Sequence, residues 1–267
     1  MKIKEALKNA SQELNPKEAR ILLAHHLKCD KLQLIMKEDE ELLDLIGYQD
    51  LIKRAKNNEP IEYITEKVSF YSTEFIIKKG SLIPRPETEI LIDKVLELAK
   101  EFDSINIAEI GVGSGIISTI LALKIPDITI TATDISQTSI DLAKINSKKF
   151  NISQKIEFIK TSLLDNIEKK FDIIVSNPPY IANSASLEQN LSYEPDCALF
   201  GGDVGDELLK EIIDLWIDSG AKYLCCEMGY DQKEPLQNYF YTKEIKDVEF
   251  FKDLAGLDRG FVAKIRS

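Results

Sequence analysis

The sequence predicts an α/β protein in which a small bundle of helices precedes a doubly wound, largely parallel sheet. Two observations lead to this fold class. Strand-like and helix-like segments alternate from Pro84 onwards, which is typical of parallel strands joined by crossover helices. The preceding chain up to residue 60 instead carries apolar residues at helical spacing. With 267 residues, 44% hydrophobic and 30% charged, the chain can form one large domain and a smaller companion.

Capping residues and periodicity predict helices in the N-terminal part. Asn15 and Pro16 supply an N-cap and a first helical residue ahead of the apolar segment 19–27, and a second amphipathic pattern covers residues 39–56. Residues 61–79 are rich in β-branched and aromatic side chains. Within them, runs at 67–71 and 74–78 on either side of Ser72-Thr73 predict a β-hairpin. The expected domains are therefore a helical domain at 1–60, a hairpin linker at 61–83 and a sheet domain at 84–267.

The sheet domain is predicted to alternate between helices and strands. Predicted helices lie at residues 87–102, from the glycine-rich turn up to 124, at 137–150, at about 204–218 and at 232–239. Predicted strands lie at residues 105–110, 128–133, 156–159, 171–176, 223–227, and near 245–251 and 261–265. No helix separates the last two strands, so the last strand is expected to insert antiparallel to its neighbours.

Charge and residue usage exclude several classes of function. The formal net charge of −11 argues against a broad binding face for nucleic acid or an anionic membrane. No apolar run approaches the length of a membrane span and no secretion signal is visible, so a cytoplasmic protein is expected. The four cysteines are expected to be buried, reduced thiols. Because the cysteines lack metal-binding spacing and there are only two histidines, no metal site is expected.

A glycine-rich turn follows the first strand of the predicted sheet. Gly111, Gly113 and Gly115 let the backbone turn sharply and approach a ligand closely. A dinucleotide-binding turn would need its third glycine at Ile116, so the spacing favours an S-adenosylmethionine loop. The next strand ends at Asp134, whose carboxylate can accept hydrogen bonds from both hydroxyls of a ribose. The alternative is a purely structural turn followed by a helix cap.

The segment Asn177-Pro178-Pro179-Tyr180 ends another predicted strand. The Asn177 side-chain oxygen and the Pro178 carbonyl can accept both hydrogens of a planar NH₂ group. The consecutive prolines stiffen this chain segment, and the Tyr180 ring can stack against a flat amide or base. Such a site suits a weakly nucleophilic amide or exocyclic amine that is oriented towards a sulfonium methyl group by proximity. The alternative is a rigid turn after a strand.

Together these residues resemble the amino-methyltransferases of the Asn-Pro-Pro-Tyr type, which include adenine-N6 DNA methyltransferases and protein glutamine methyltransferases. Further motifs narrow the resemblance. They are Ile83-Pro84-Arg85-Pro86-Glu87-Thr88-Glu89, Tyr193-Glu194-Pro195, Ala198-Leu199-Phe200-Gly201-Gly202, Cys226-Glu227-Met228-Gly229 with Gln232, and Asp253-Leu254-Ala255-Gly256-Leu257-Asp258-Arg259. As a set they resemble the PrmC/HemK family, the N5-glutamine methyltransferases of peptide chain release factors, over essentially the whole chain.

The resemblance implies a seven-stranded, Rossmann-like methyltransferase sheet with S-adenosyl-L-methionine as cofactor. The implied substrate is the glutamine of the Gly-Gly-Gln loop in class-1 release factors, whose methylation modulates translation termination. The implied cofactor-binding residues are Gly111, Val112, Gly113, Ser114, Gly115, Asp134, Leu163 and Asn177. The implied substrate-binding residues are Asn177, Pro178, Pro179 and Tyr180, of which Asn177 and Tyr180 are the catalytic pair. Two positions depart from the family pattern, since Glu109 replaces the usual aspartate and Ser162 an expected acid.

Other expectations concern partners and residues whose role stays open. The domain at residues 1–60 is expected to dock the release factor, and the protein is expected to be a monomer without direct nucleic-acid or membrane contacts. Trp216 is expected in the core. The side chains that could either touch a ligand or serve the structure are Arg85, Glu87, Glu109, Ser162 and Glu227. Asp253, Asp258 and Arg259 are expected to hold the loop before the last strand.

Two other functions are left open by the sequence. A DNA adenine methyltransferase shares the motif at residues 177–180, but it usually needs a basic face and a target-recognition domain, and neither is visible here. A non-catalytic protein that only docks on a partner is disfavoured by the complete glycine-rich turn, Asp134 and the motif at residues 177–180.

Overall fold

The structure is a computed structural model that describes residues 1–265. It divides into two compact units. The first holds residues 1–67, 77–79 and 187–193, and the second holds residues 68–76, 80–186 and the chain from Glu194 onwards. The domain boundaries expected after residues 60 and 83 stay a prediction.

The first unit is built from helices. They are α1 (Ile3–Ala10), α2 (Pro16–His26), α3 (Lys31–Met36), α4 (Leu45–Lys56) and α5 (Ile61–Thr65). Its core centres on α2, where Ala19, Leu22 and Leu23 are fully buried. The hydroxyl group of Tyr48 in α4 donates to the Ala19 carbonyl over 3.0 Å, so the two helices are held by apolar packing and by a buried hydrogen bond.

Capping side chains set where the helices of this unit begin. The predicted cap of α2 is confirmed, since the Asn15 side chain accepts from the backbone N–H of Lys17 and Pro16 is the first helical residue. The helix predicted at residues 39–56 begins only at Leu45. The Asp44 side chain accepts from the Gly47 N–H over 2.9 Å and so caps the helix there.

The region predicted as β-rich contains both a helix and a hairpin. Residues 61–65, which begin the stretch rich in β-branched and aromatic side chains, form the short helix α5 directly after Pro60. The hairpin is confirmed as β1 (Lys67–Phe70) paired with β2 (Thr73–Ile76). Its turn lies one residue earlier than predicted, at Tyr71 and Ser72. Both have positive φ, as the twist of a two-residue hairpin turn requires.

The second unit is built on a seven-stranded sheet. Its strands are β3 (Ile105–Ile110), β4 (Ile128–Asp134), β5 (Ile156–Lys160), β6 (Ile173–Ser176), β9 (Tyr223–Glu227), β10 (Val248–Lys252) and β11 (Asp258–Lys264), in the order β10-β11-β9-β6-β3-β4-β5. Two short strands, β7 (Ile181–Ala182) and β8 (Phe200–Gly202), pair separately. The last strand, β11, lies between β9 and β10 and is antiparallel to both, as predicted. The predicted fold class is confirmed.

Helices connect and cover the strands of this sheet. They are α6 (Thr88–Ala99), α7 (Ile116–Lys124), α8 (Gln137–Lys149), α9 (Glu207–Ser219) and α10 (Lys233–Thr242), and their ends differ from the predicted ones by a few residues. Trp216 of α9 is fully buried, as predicted, and its indole N–H donates to the Ala221 carbonyl over 2.8 Å. No helix within residues 1–265 is both long and apolar enough to span a membrane.

The cysteines differ from the expectation in their burial. All four are free thiols, and Cys225 and Cys226 are buried in β9. The prediction of burial is wrong for Cys29, which is half-buried, and for Cys197, which is exposed. Both lie in connections between elements, where less apolar surface covers a side chain. Among residues 1–265, no three His, Cys, Asp or Glu side chains are arranged to hold a metal ion.

Candidate active site

The candidate site lies where three neighbouring parallel strands of the sheet end. The chain leaves β3 into the glycine-rich turn, β4 ends at Asp134, and β6 is followed by Asn177. Because β4, β3 and β6 are adjacent and parallel, their carboxyl ends meet at one edge of the sheet. A cavity with about 1100 Å³ of empty space, including its open mouth, lies at this edge.

The glycine-rich turn needs glycine for two different reasons. Gly111, Gly113 and Gly115 all have positive φ, at +76°, +52° and +77°. A Cβ atom at Gly111 or Gly113 would meet nothing within 4 Å, whereas one at Gly115 would lie 2.8 Å from the Cβ of Ala143 in α8. The first two glycines therefore keep the cavity side open, and the third lets two helices approach each other.

Asp134 is fixed by the same turn. Its Oδ2 accepts from the Gly113 N–H over 2.9 Å, and its Oδ1 accepts from the Ser136 N–H over 2.8 Å. Burial raises the pKa of this carboxyl, and the backbone hydrogen bonds oppose the rise. Since a carboxylate oxygen can accept more than one hydrogen bond, Asp134 retains acceptor capacity towards a ligand in the cavity that it lines.

Glu109, at the end of β3, also lines the cavity and is only 1% exposed. One carboxyl oxygen accepts from both the backbone N–H and the hydroxyl group of Ser118. The other, Oε1, has no hydrogen-bond partner among the described residues. Burial raises the pKa of Glu109 to about 8. Buried acceptors are normally hydrogen-bonded, so a ligand in the cavity is expected to supply a donor to this oxygen. An ammonium group would be the strongest such donor.

The Asn177–Tyr180 segment joins the cavity to a buried polar network. The Ser176 hydroxyl donates to the Ile110 carbonyl over 2.7 Å, which holds the end of β6 beside the glycine-rich turn. The Asn177 Nδ2 donates to the Thr88 hydroxyl oxygen over 3.1 Å, and the Tyr180 hydroxyl donates to Glu227 over 3.1 Å. Asn177 thus lies at the cavity, while the Tyr180 hydroxyl is directed into the protein.

The predicted site residues fall into two groups. The larger group lines the cavity and consists of Gly111, Val112, Gly113, Ser114, Asp134, Leu163, Asn177 and Pro179. Gly115, Pro178 and Tyr180 are not among the lining residues. The individual roles of all these residues in cofactor binding, substrate binding or catalysis stay predictions. Ser162 also lines the cavity.

Some residues of the site were not singled out by sequence reasoning. Thr88, Ile135 and Cys197 line the cavity. Thr88 belongs to the motif at residues 83–89, but the motif alone assigns it no individual role. Ile135 could have been found from its position directly after Asp134, whereas nothing in the local sequence marks Cys197.

Arg85, Asp253 and Arg259 form ion pairs in the structure. Arg85 pairs with the buried Glu194, which also accepts from the Ile83 N–H over 2.8 Å. Arg259 donates to Asp253 over 2.9 Å and 3.2 Å. The other oxygen of Asp253 accepts from two backbone N–H groups of its loop, at Ala255 and Leu257. These contacts are structural and hold the segments on which the site rests.

The donor and acceptor set fits S-adenosyl-L-methionine. The unpartnered Glu109 oxygen can accept from an α-ammonium group, and Asp134 can accept from ribose hydroxyls. The open sides of Gly111 and Gly113 allow a ligand to approach the backbone closely. The remaining lining around Ile135 and Leu163 is mainly apolar, as a flat heterocycle needs.

Comparisons with known proteins decide the family. The PrmC N-terminal domain matches residues 1–65, and the Methyltransferase small domain matches residues 86–193. The release factor glutamine methyltransferase of Clostridium acetobutylicum is 34% identical and aligns over 98% of this chain and 98% of its own length. The chain belongs to the release factor glutamine methyltransferase family. The resemblance identified from the motifs is thereby confirmed.

Two further comparisons place this family member among its relatives. The bifunctional methyltransferase of Rickettsia typhi is 36% identical over 96% of this chain, which spans only 56% of that longer protein. The hMettl16 catalytic domain, solved with the MAT2A 3′UTR hairpin 6, has a TM-score of 0.61 at 19% identity, over 72% of this chain and 76% of that one. This second likeness bears on the fold alone.

Proposed function

We propose that this chain transfers a methyl group from S-adenosyl-L-methionine to the side-chain amide nitrogen of the glutamine in the Gly-Gly-Gln motif of class-1 peptide chain release factors. The family to which it belongs supports this reaction. The observation that carries the proposal is the position of Asn177, whose side chain lines the cavity beside the glycine-rich turn and Asp134. Methylation of this glutamine would modulate translation termination.

The chain's own residues account for how such an amide could be held. When bound, S-adenosyl-L-methionine supplies a methyl group on a positively charged sulfur. The Asn177 side-chain oxygen accepts one amide hydrogen at the cavity and so orients the nitrogen. The Pro178 carbonyl, which is not among the cavity-lining groups, is the predicted acceptor of the other hydrogen. An amide nitrogen is a poor nucleophile, so orientation is the main contribution, and it can supply up to ~7–11 kcal/mol of the barrier.

We also propose that residues 1–60 dock the release factor. This part of the chain carries large apolar side chains that are strongly exposed, among them Leu43 at 93%, Met36 at 82% and Ile46 at 81%. Leu43→Ser should raise the KM for the release factor several-fold and leave the Kd for S-adenosyl-L-methionine unchanged. Leu254→Ser is the matched control, since Leu254 is also fully exposed but lies in the second unit. Equal effects of the two variants would contradict the docking role.

The activity is tested by incubating the full chain with methyl-labelled S-adenosyl-L-methionine and either a class-1 release factor or double-stranded DNA. We expect peptide mass spectrometry to locate one added methyl group on the glutamine of the Gly-Gly-Gln motif. Asn177→Ala should reduce transfer at least about 100-fold, because it removes a preorganised acceptor. Asn183→Ala, which removes an exposed amide three residues after the end of the motif, should not. Label entering DNA but not the release factor would overturn the proposal.

A further inference from the structure

A chain of buried polar groups lies behind Asn177. The Asn177 Nδ2 donates to the Thr88 Oγ1 over 3.1 Å, and the Thr88 hydroxyl donates to the Glu227 Oε2 over 2.7 Å. The other Glu227 oxygen accepts from the Tyr180 hydroxyl over 3.1 Å. Thr88 and Glu227 are each only 1% exposed, so water does not compete for these bonds. The groups come from the start of α6, the end of β9 and the loop after β6.

The number of donor hydrogens on each group fixes which group donates in the hydrogen bonds that join Asn177, Thr88 and Glu227. An ionised carboxylate has no hydrogen to donate, and a threonine hydroxyl has one. Because the Thr88 hydrogen is directed to Glu227, the Thr88 oxygen can only accept from Asn177. The sole donor on an asparagine side chain is its NH₂ group, so that group must face Thr88.

The direction requires an ionised Glu227, whose neighbours offset part of the cost of burying its charge. Two hydroxyl groups, those of Thr88 and Tyr180, converge on its two oxygens. Burial raises the pKa of Glu227 above its usual value, and the negative charge of Glu87 adds to that rise. The hydrogen bonds from the two hydroxyl groups and the positive charge of Arg259 oppose it. Arg259 is itself held by Asp253 over 2.9 Å. The carboxylate therefore sits among donors that stabilise its charge.

The consequence concerns the other end of the Asn177 amide. With its NH₂ group bonded to Thr88, its Oδ1 is turned away from Thr88 and is not bonded to any described residue. An amide free to rotate by half a turn would present a donor to the substrate as readily as an acceptor. The glutamine NH₂ group can be held only by an acceptor.

We propose that Thr88 and Glu227 are positioning residues that hold the Asn177 amide with its oxygen towards the substrate's NH₂ group. The inference rests on the proposed function, since it assumes that the methyl acceptor is an amide. It assigns to Glu227 a role that the sequence left open between ligand contact and structure. Glu227 acts through Thr88 and Asn177 and need not touch the substrate.

Isosteric variants of Thr88 and Glu227 test this positioning role. We call the hydrogen bonds from Glu227 through Thr88 to Asn177 the relay. Thr88→Val removes the hydroxyl group and should lower kcat about 10- to 100-fold, the size of effect that groups behind a directly contacting residue have at metal sites. The Kd for S-adenosyl-L-methionine should stay within about threefold, and Thr88→Ser should restore turnover. Thr119→Val is the matched control, because Thr119 is fully buried and its hydroxyl has no partner among the described residues. It should turn over as the wild type does.

Glu227→Gln gives a sharper test because it can reverse which groups donate and which accept in the relay. A glutamine NH₂ group can donate to Thr88, whose hydrogen then turns to Asn177 and draws the Asn177 oxygen away from the substrate. We expect a larger loss of kcat than in Thr88→Val. The side-chain NH₂ signals of Asn177, assigned in ¹H–¹⁵N spectra by their absence in Asn177→Ala, should shift in both variants.

The outcomes separate the relay from the proposed function. Wild-type kcat in Thr88→Val, or unchanged Asn177 NH₂ signals in both variants, would overturn the relay. A loss of cofactor affinity as large as the loss of kcat would also overturn it, since that pattern indicates a collapsed cavity. No methylation of the release factor by the wild-type protein would overturn the proposed function instead, and the NMR signals would still report on the relay.

Discussion

Replacing Gly115 by alanine should destabilise the fold, whereas the same change at Gly111 should mainly weaken ligand binding. The two glycines have almost the same backbone conformation, with φ of +77° and +76°. They differ in what surrounds them. An added Cβ at Gly115 would lie 2.8 Å from the Cβ and 2.9 Å from the Cα of Ala143, while one at Gly111 would meet nothing within 4 Å. The pair therefore separates backbone strain from steric overlap.

The expected magnitudes follow from these two contributions. A non-glycine residue in the left-handed region costs roughly 1–2 kcal/mol, and this applies to both variants. Forcing a methyl group into a packed contact typically costs about 1–3 kcal/mol more. This cost applies only to Gly115→Ala, because the added methyl group meets the Cα and Cβ atoms of Ala143, which a helix holds in place. The free energy of unfolding should therefore fall by about 2–5 kcal/mol in Gly115→Ala and by about 1–2 kcal/mol in Gly111→Ala.

Urea unfolding followed by circular dichroism measures the stability, and titration calorimetry measures the Kd for S-adenosyl-L-methionine. Gly111→Ala should lose at least about tenfold in affinity, about 1.4 kcal/mol, because its methyl group extends into the space that the cofactor is expected to occupy. Gly115→Ala should lose more stability at an unchanged dependence on urea concentration. Equal destabilisation by the two variants, or wild-type cofactor affinity in Gly111→Ala, would refute the reasoning.

Two further predictions concern the carboxylates of the cavity. The pKa of Glu109 rises from 4.5 to about 8, so the free protein should release about 0.9 proton at pH 7 when a cation binds beside it. Calorimetry in buffers of different ionisation enthalpy measures this release, and equal release by Glu109→Gln would contradict the assignment. Protonated Glu109 contributes stability that is fully present below pH 4.5 and lost as the pH rises through about 8, and Glu109→Gln should remove that loss in urea unfolding. Asp134→Asn leaves one acceptor oxygen for the N–H groups of Gly113 and Ser136, so cofactor affinity should fall about tenfold or more. Unchanged affinity by calorimetry would contradict this.

Much of the fold can be predicted from the sequence because its signals are local. The strands β3 and β9 have the predicted bounds, since buried parallel strands are short apolar runs with clear ends. The errors arise where a single residue outweighs composition. Asp44 starts α4 later than the apolar pattern does, and the β-branched segment directly after Pro60 forms α5. Side-chain capping and backbone restriction act within one or two residues, and periodicity averages over many more.

In the candidate site, too, the features set by local sequence could be predicted, and those that depend on distant contacts could not. The glycine-rich turn, Asp134 and Asn177 could be predicted because each directly follows a strand, and parallel strands bring their ends together. The bond between Thr88 and Glu227 could not, because it joins residues 139 positions apart in the chain. The unpartnered oxygen of Glu109 is equally invisible, since it depends on every group packed around it.

The four residues at 177–180 are one motif in the sequence but face two environments in the structure. Asn177 and Pro179 line the cavity. The Tyr180 hydroxyl donates a hydrogen bond to Glu227, and the backbone carbonyl of Tyr180 accepts one from the Gln232 side chain over 2.9 Å. If Tyr180 serves mainly to anchor the motif, then Tyr180→Phe should lower stability and disturb Asn177 only through Glu227. A stacking role would instead leave Tyr180→Phe fully active, because phenylalanine keeps the ring face. Comparing kcat in Tyr180→Phe and Glu227→Gln therefore decides which of the two environments gives this residue its function.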